Sequence, residues 1–416
     1  MSERIFNSSF SILLLVFCPI SIAWLGNIGI VGFLLFILSL LLLVITRPSL
    51  NLTKEEKFFV FSMIAFPLAT LLSMYINPPN SYKYFDNPSR LIVVLFIFFA
   101  IRSLKFSVKF FYWGILLGSI LIGSIAAYQA FVLGISRVSG FISSPNNPIT
   151  FGNAGMILGV LSIFTFKKMK DSLGVYAIPL IVIAASMGIL ASLLSGTRGG
   201  WISLPFLLVT ICYWVFGVKK RFLILAPIII VLFFILAASL IPSVESRLLA
   251  SWYNIEAIGQ GDWTSGSLGA RLEMWYAACL MFIDNPGFGV GLGQYYVVKK
   301  ELIAGGILSQ TISSFPYAHN ELIHYLAEMG LLGFLPLVLL YAGWLFLPYQ
   351  YTQNGGQTRD LAYMAMVIAV FRIDIGLSEV QFNYHFTSFF YLILFVFAVG
   401  FMCREAPAQK NSRARA

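Results

Sequence analysis

The chain reads as an all-α integral membrane protein, with about twelve transmembrane helices and one helical loop domain outside the bilayer. Three observations lead there. Hydrophobic residues fill 59% of the 416 positions and charged residues 11%, too apolar for an ordinary soluble domain. The apolar residues gather into runs close to the roughly 20 residues that cross a hydrocarbon core about 30 Å thick. Basic residues are concentrated in alternate loops, as the positive-inside rule requires.

The predicted spans are 9–25, 28–46, 58–76, 89–101, 109–134, 149–166, 174–194, 200–217, 221–241, 320–347, 360–378 and 386–403. No small-residue cleavage site follows the first span and a second begins almost at once, so it reads as a retained helix. The 89–101 run is short and must borrow from its flanks or tilt little. Helices one to nine therefore occupy 1–241, an outer loop domain 242–318, helices ten to twelve 319–403, and a basic inner tail 404–416. Cys18, Cys212, Cys279 and Cys403 are scattered, which gives neither a disulfide framework nor a metal spacing.

The net charge of +10 is explained by orientation. With Met1 inside, 18 of the 27 basic residues fall in inner segments, among them Arg47, Lys54, Arg102, Lys167, Lys168, Lys170, Arg359 and Arg404. This places both termini in the cytoplasm and removes the nucleic-acid reading. Lys83, Arg90, Arg137, Arg198, Arg247, Arg271, Lys299, Lys300 and Arg372 stay outside. The outer loop holds four basic against six acidic residues, so an anion there needs individually placed arginines.

Within that loop, 267–284 has helical periodicity. Leu268, Leu272, Trp275, Cys279 and Phe282 form an apolar stripe, Ser267 is a plausible N-cap, and Asn285-Pro286-Gly287 stops the helix. Such a helix is expected to lie on the membrane surface, with Arg271 bordering the stripe; alone, Arg271 reads as a snorkelling side chain slightly more readily than a functional one. Ser195-Gly-Thr-Arg198-Gly-Gly-Trp201 opens span eight from outside. Free helix N–H groups favour an anion there, Gly199 and Gly200 permit close approach, and Arg198 can fork onto phosphate oxygens. A tight turn with a snorkelling arginine is the plainer alternative. At the start of span six, Asn146 or Asn147 can hold sugar hydroxyls or simply form a turn. Gly287, Gly289, Gly291 and Gly293 lack the strand and lysine of a phosphate loop and read as a flexible turn.

The most informative segment is Pro316-Tyr-Ala-His319-Asn-Glu-Leu-Ile-His324-Tyr-Leu-Ala-Glu328-Met-Gly330. Asn320, His324 and Glu328 share a helical face leading into span ten, expected to stand at or above the bilayer surface. A titratable His319 at the outer edge of a membrane bundle can meet a lipid-borne substrate. Tyr317, Asn320, Trp275 and Asn147 are weaker substrate-binding candidates, as His324 and His385 are weaker histidines. Arg372 is expected to pair internally with Asp374 or Glu379, since a charge within a span is costly unless paired.

The ordered motifs Ser-Gly-Thr-Arg198-Gly-Gly, Ala-Arg271-Leu-Glu-Met-Trp, Asn-Pro-Gly-Phe-Gly-Val-Gly-Leu-Gly-Gln294, Ala-His319-Asn-Glu-Leu and Ala-Glu-Met-Gly-Leu-Leu-Gly333 resemble the bacterial O-antigen ligase and polymerase superfamily of membrane glycosyltransferases. The likeness covers about 140–335. Twelve spans and one dominant outer loop look most like the ligases; polymerases divide their outer mass between two loops.

The resemblance implies transfer of a finished O-antigen glycan from undecaprenyl diphosphate to a sugar hydroxyl of lipid A–core, at the periplasmic face of the inner membrane. Arg198 and Arg271 then match diphosphate-contacting arginines and His319 the essential histidine. Membrane lipids are the remaining partner, and no cofactor is implied. A general base acting in one displacement implies inversion, and the lack of an outward Asp-x-Asp element implies metal independence. The rivals are a polymerase or related oligosaccharyltransferase and, from another class, a lipid-linked glycan transporter.

Overall fold

A computed structural model describes residues 2–23, 28–79, 81–140, 147–197, 199–217, 242–259 and 266–413, with isolated positions between 228 and 239. The ninth predicted span, 221–241, lies almost wholly outside the described residues. No strand occurs among them, and the all-α membrane class holds. The helices are α1 (Ser2–Ala23), α2 (Ile28–Thr46), α3 (Lys54–Ile76), α4 (Asp86–Ser103), α5 (Val108–Ala127), α6 (Pro148–Phe164), α7 (Phe166–Leu173), α8 (Ala177–Ser195) and α9 (Gly199–Ile202). After α10 (Leu204–Phe216) come α11 (Pro242–Gly259), α12 (Gly266–Asp284), α13 (Tyr295–Ala304), α14 (Glu321–Tyr351), α15 (Gly356–Gly376) and α16 (His385–Arg413).

Seven segments among the described residues are long and apolar enough to cross a membrane. The short fourth span does borrow from its N-terminal flank, becoming Tyr82–Ser103. Local chemistry sets the helix starts. Thr53 and Glu56 close a capping box on α3. Asn147 caps α6 ahead of Pro148, accepting from the N–H groups of Ile149 and Thr150.

Packing follows side-chain size. The apolar window of α16 is buried all round, the state expected of a helix that is hydrophobic on every face. Gly155 and Gly159 on α6 meet Gly188 on α8, where an added Cβ at Gly155 would lie 2.7 Å from the Gly188 carbonyl. This is the small-residue crossing that lets membrane helices approach closely.

The charge expected to pair within α15 pairs elsewhere. Arg372 does not bridge to Asp374 or Glu379; its Nη1 lies 2.9 Å from Glu321 Oε2 at the start of α14. Glu321 also accepts from the Phe382 N–H at 2.9 Å and from the Tyr341 hydroxyl. Both charges are buried, and the pair ties α14 to α15. Removing one partner strands the other in an apolar setting, so Arg372→Ala is expected to cost about 3–5 kcal/mol. An SDS-unfolding titration in mixed micelles reads this, and a wild-type midpoint would contradict it.

The glycine run is not a flexible turn. Val290 and Gly291 donate to the carbonyls of Ala327 and Glu328, while Leu331 and Leu332 donate to those of Pro286 and Gly287. This loop wedges into α14 and opens it at Gly330, whose φ is +58° and whose added Cβ would lie 2.6 Å from the Pro286 carbonyl. The backbone groups freed at the break are thereby satisfied within the protein.

Candidate functional site

His319 sits on the short connection that enters α14, and three anchors determine its position. Buried Lys299 on α13 donates to the Ile312 carbonyl at 2.7 Å and to the Phe315 carbonyl, propping the approach strand of the loop. Trp275 Nε1 on α12 donates to the Ala318 carbonyl at 2.9 Å. Asn320 caps α14, its Oδ1 accepting from the Ile323 N–H at 3.2 Å. Between these anchors His319 is held at φ +49°, a left-handed conformation that costs a non-glycine residue on the order of 1 kcal/mol or more and concentrates at functional sites.

That conformation turns the imidazole onto Glu379, beyond the end of α15, with Nδ1 3.1 Å from Oε2. Glu379 is itself oriented: its Oε1 accepts from the Val380 N–H at 3.2 Å, and the Tyr384 hydroxyl hydrogen-bonds to it. An ionised carboxylate at Nδ1 selects the tautomer whose Nε2 carries a free lone pair. The carboxylate also acts electrostatically on Arg271. Burial pulls the Arg271 guanidinium below its ordinary pKa and the Glu379 charge pushes it back up; arginine stays charged throughout the accessible range. Among the described residues no hydrogen bond or ion pair to Arg271 occurs. Burial raises both the Tyr317 and Tyr384 phenols above their ordinary range, helped at Tyr384 next by the Glu379 charge, which keeps both as neutral donors.

The remaining outer basic residues are mostly accounted for. Arg90 is buried among Asp86, His385 and Ser388, Arg372 is paired with Glu321, and Arg137 Nε donates to the Ser195 carbonyl. Lys299 is structural. Lys83 and Lys300 are exposed, with Lys300 over the Tyr296 ring. Arg198 and the Arg247 side chain lie outside the described residues; among the described basic residues predicted to lie outside, Arg271 is partly buried yet makes no hydrogen bond or ion pair with another described residue.

Several expectations change. The buried face of α12 is Gly269, Ala270, Met274, Ala277, Ala278 and Met281, not the Leu268–Phe282 stripe, because small side chains let α12 pack closely on α14. Cys279 is exposed. Ser267 lies inside the first turn rather than capping it. At Gly200 an added Cβ would meet Asn153 Oδ1 at 2.6 Å, so the missing side chain there makes room for α6. The side-chain oxygens of Asn147 and Asn320 are used in caps, and Trp275 holds the loop backbone. Tyr317, half-buried, packs edge-on to His324 and Tyr384 near Glu379. His324 and Glu328 do not stand exposed; both are buried beneath the loop, 3.5 Å apart.

Glu379 is the site residue that sequence reasoning misassigned, as a partner for Arg372. Its signal was present, an outer carboxylate just past a span, but its partner lies 60 residues away.

The Lys299 pKa is lowered to about 8, chiefly by burial and secondarily by Lys300. Between about pH 8 and 10.5 the folded chain releases this proton while the unfolded chain keeps it. Stability attributable to Lys299 therefore rises with pH across that window. In paired melts, the wild type should gain on Lys299→Met over that range; a pH-independent difference would contradict it.

Fold and site together define a polytopic α-helical membrane protein with a histidine–carboxylate pair whose charge acts on a sheltered arginine at one end of its bundle. Residues 180–338 match the family model described as O-antigen ligase, a match that supports a relation to the O-antigen ligase and polymerase superfamily. Members are glycosyltransferase-like ligases and polymerases. An uncharacterized protein of Haemophilus influenzae is 27% identical over 299 residues, covering 71% of this chain and 73% of the relative.

Proposed function

We propose that the protein is an O-antigen ligase, transferring glycan from undecaprenyl diphosphate to a sugar hydroxyl of lipid A–core at the periplasmic face of the inner membrane. The observation that carries the reading is one carboxylate, Glu379, shared between His319 and the field of Arg271. His319 Nε2 takes the acceptor hydroxyl proton as its oxygen attacks the anomeric carbon. The bond from that carbon to the diphosphate oxygen breaks, and the lipid diphosphate leaves with the electron pair. Arg271, joined by Arg198, neutralises the charge that grows on the leaving group. Glu379 orients the imidazole and stabilises its protonated form. A single displacement inverts the anomeric centre, and no metal takes part.

The test offers purified protein a lipid-linked donor with either lipid A–core or a second lipid-linked repeat as acceptor, with and without excess chelator. Transfer to lipid A–core that survives chelation is the expected result. Transfer only to the second repeat would make the protein a polymerase, and movement of labelled donor across vesicles without covalent transfer would make it a transporter.

A further inference from the structure

The basic residues at the other end of the bundle are more ordered than orientation alone requires. At the junction of α6 and α7 with α8, α10 and α15 lies a cleft of about 430 Å³ walled by Phe166, Ile181, Trp214 and Val215, with Lys167 and Arg359 on its lining. The two cations are 192 residues apart in sequence and line the same cleft. Lys167 Nζ is 2.9 Å from Asp360 Oδ1 and 5.7 Å from the centre of the Trp214 ring, while Trp214 Nε1 donates to the same Asp360 oxygen at 2.7 Å.

Arg359 donates to the Tyr213 carbonyl at 3.3 Å and lies over the Tyr363 ring, with no carboxylate partner among the described residues. Asp360 is buried, while the Lys167 side chain is half exposed, so the mouth carries two cations against one screened carboxylate. Val215 of the lining is exposed, as are Val182 and Ile183, which follow Ile181 in the chain, and this puts the cleft on a surface suited to lipid. A snorkelling lysine needs no aromatic floor and no fixed partner. A preset pair of cations above an apolar groove matches a phosphate with an acyl chain attached, as in the basic pockets between membrane helices that hold anionic headgroups.

We propose that this cleft binds an anionic phospholipid of the surrounding bilayer, its phosphate between Lys167 and Arg359 and one acyl chain against Phe166, Ile181 and Trp214. The inference stands apart from the glycosyl-transfer reading, which concerns the opposite end of the molecule.

The test uses full-length protein in a neutral detergent, with bound lipid counted by native mass spectrometry and stability followed as the melting midpoint. Phosphatidylglycerol should be retained about tenfold more tightly than phosphatidylethanolamine, the equivalent of about 1.4 kcal/mol. Arg359→Gln keeps a donor for the Tyr213 carbonyl and should erase most of that preference. Lys105→Gln with Lys109→Gln removes two exposed charges that do not line the cleft and should leave it intact. Equal retention of the two lipids, an unchanged preference in Arg359→Gln, loss of preference in the Lys105/Lys109 variant, or the same midpoint shift from inorganic phosphate alone would each overturn the proposal.

Discussion

His319→Ala is expected to lower the rate of glycan transfer by about 10²–10⁴-fold, the usual contribution of a positioned general base, while binding of the lipid-linked donor persists. The reason is geometric. His319 is held in a left-handed backbone conformation by the anchors on Ala318 and Asn320, and its Nδ1 is occupied by Glu379. One ring nitrogen remains for the acceptor hydroxyl. Glu379→Gln should fall toward the lower end of that range, because an amide can hold the ring while failing to stabilise imidazolium. Single-turnover assays with preloaded donor separate the chemical step from binding. Turnover of His319→Ala within a few-fold of wild type would remove the histidine from the mechanism.

Arg271→Ala is expected to reduce turnover by about 10²–10³-fold, the scale seen when one preorganised donor to a developing anion is deleted. Because Arg271 makes no hydrogen bond or ion pair with another described residue, the variant is expected to keep its melting midpoint, which separates lost chemistry from lost structure. Arg271→Lys should recover little, since a point charge on a flexible stem does not reproduce a planar fork of donors. The pattern to look for is a fall in kcat/KM for the diphosphate-linked donor with unchanged stability. Full activity in Arg271→Ala would leave the leaving group without its described counter-charge. A parallel loss of stability would instead mark Arg271 as structural.

The split between what sequence reading reached and what it missed runs along contact distance in the chain. The stripe chosen for α12 illustrates it. Leu268, Leu272 and Phe282 are the larger apolar side chains, but Ala270, Ala277 and Ala278 are among those buried, because closeness to α14 favours small residues over bulky ones. The glycines from 287 to 293 were legible as special, yet their purpose was not. They exist for the contact with the broken helix at Gly330, and nothing local to either segment announces the other. Asn147 and Asn320 were visible as polar residues at helix starts, and their capping geometry is the common use of that placement.

By itself the sequence determined the all-α membrane class, and it marked His319, Arg198 and Arg271 as the residues to watch. Each of these rests on hydropathy over a window, on charge per loop, or on short motifs, all of which are local quantities. Only the tertiary structure decided that Glu379 serves His319 while Glu321 serves Arg372, and that Lys167 and Arg359 share one cleft. Those pairings join residues 60, 51 and 192 positions apart. They depend on which helix faces meet in the bundle, and a 3.6-residue period says which face is apolar but not which neighbour it finds.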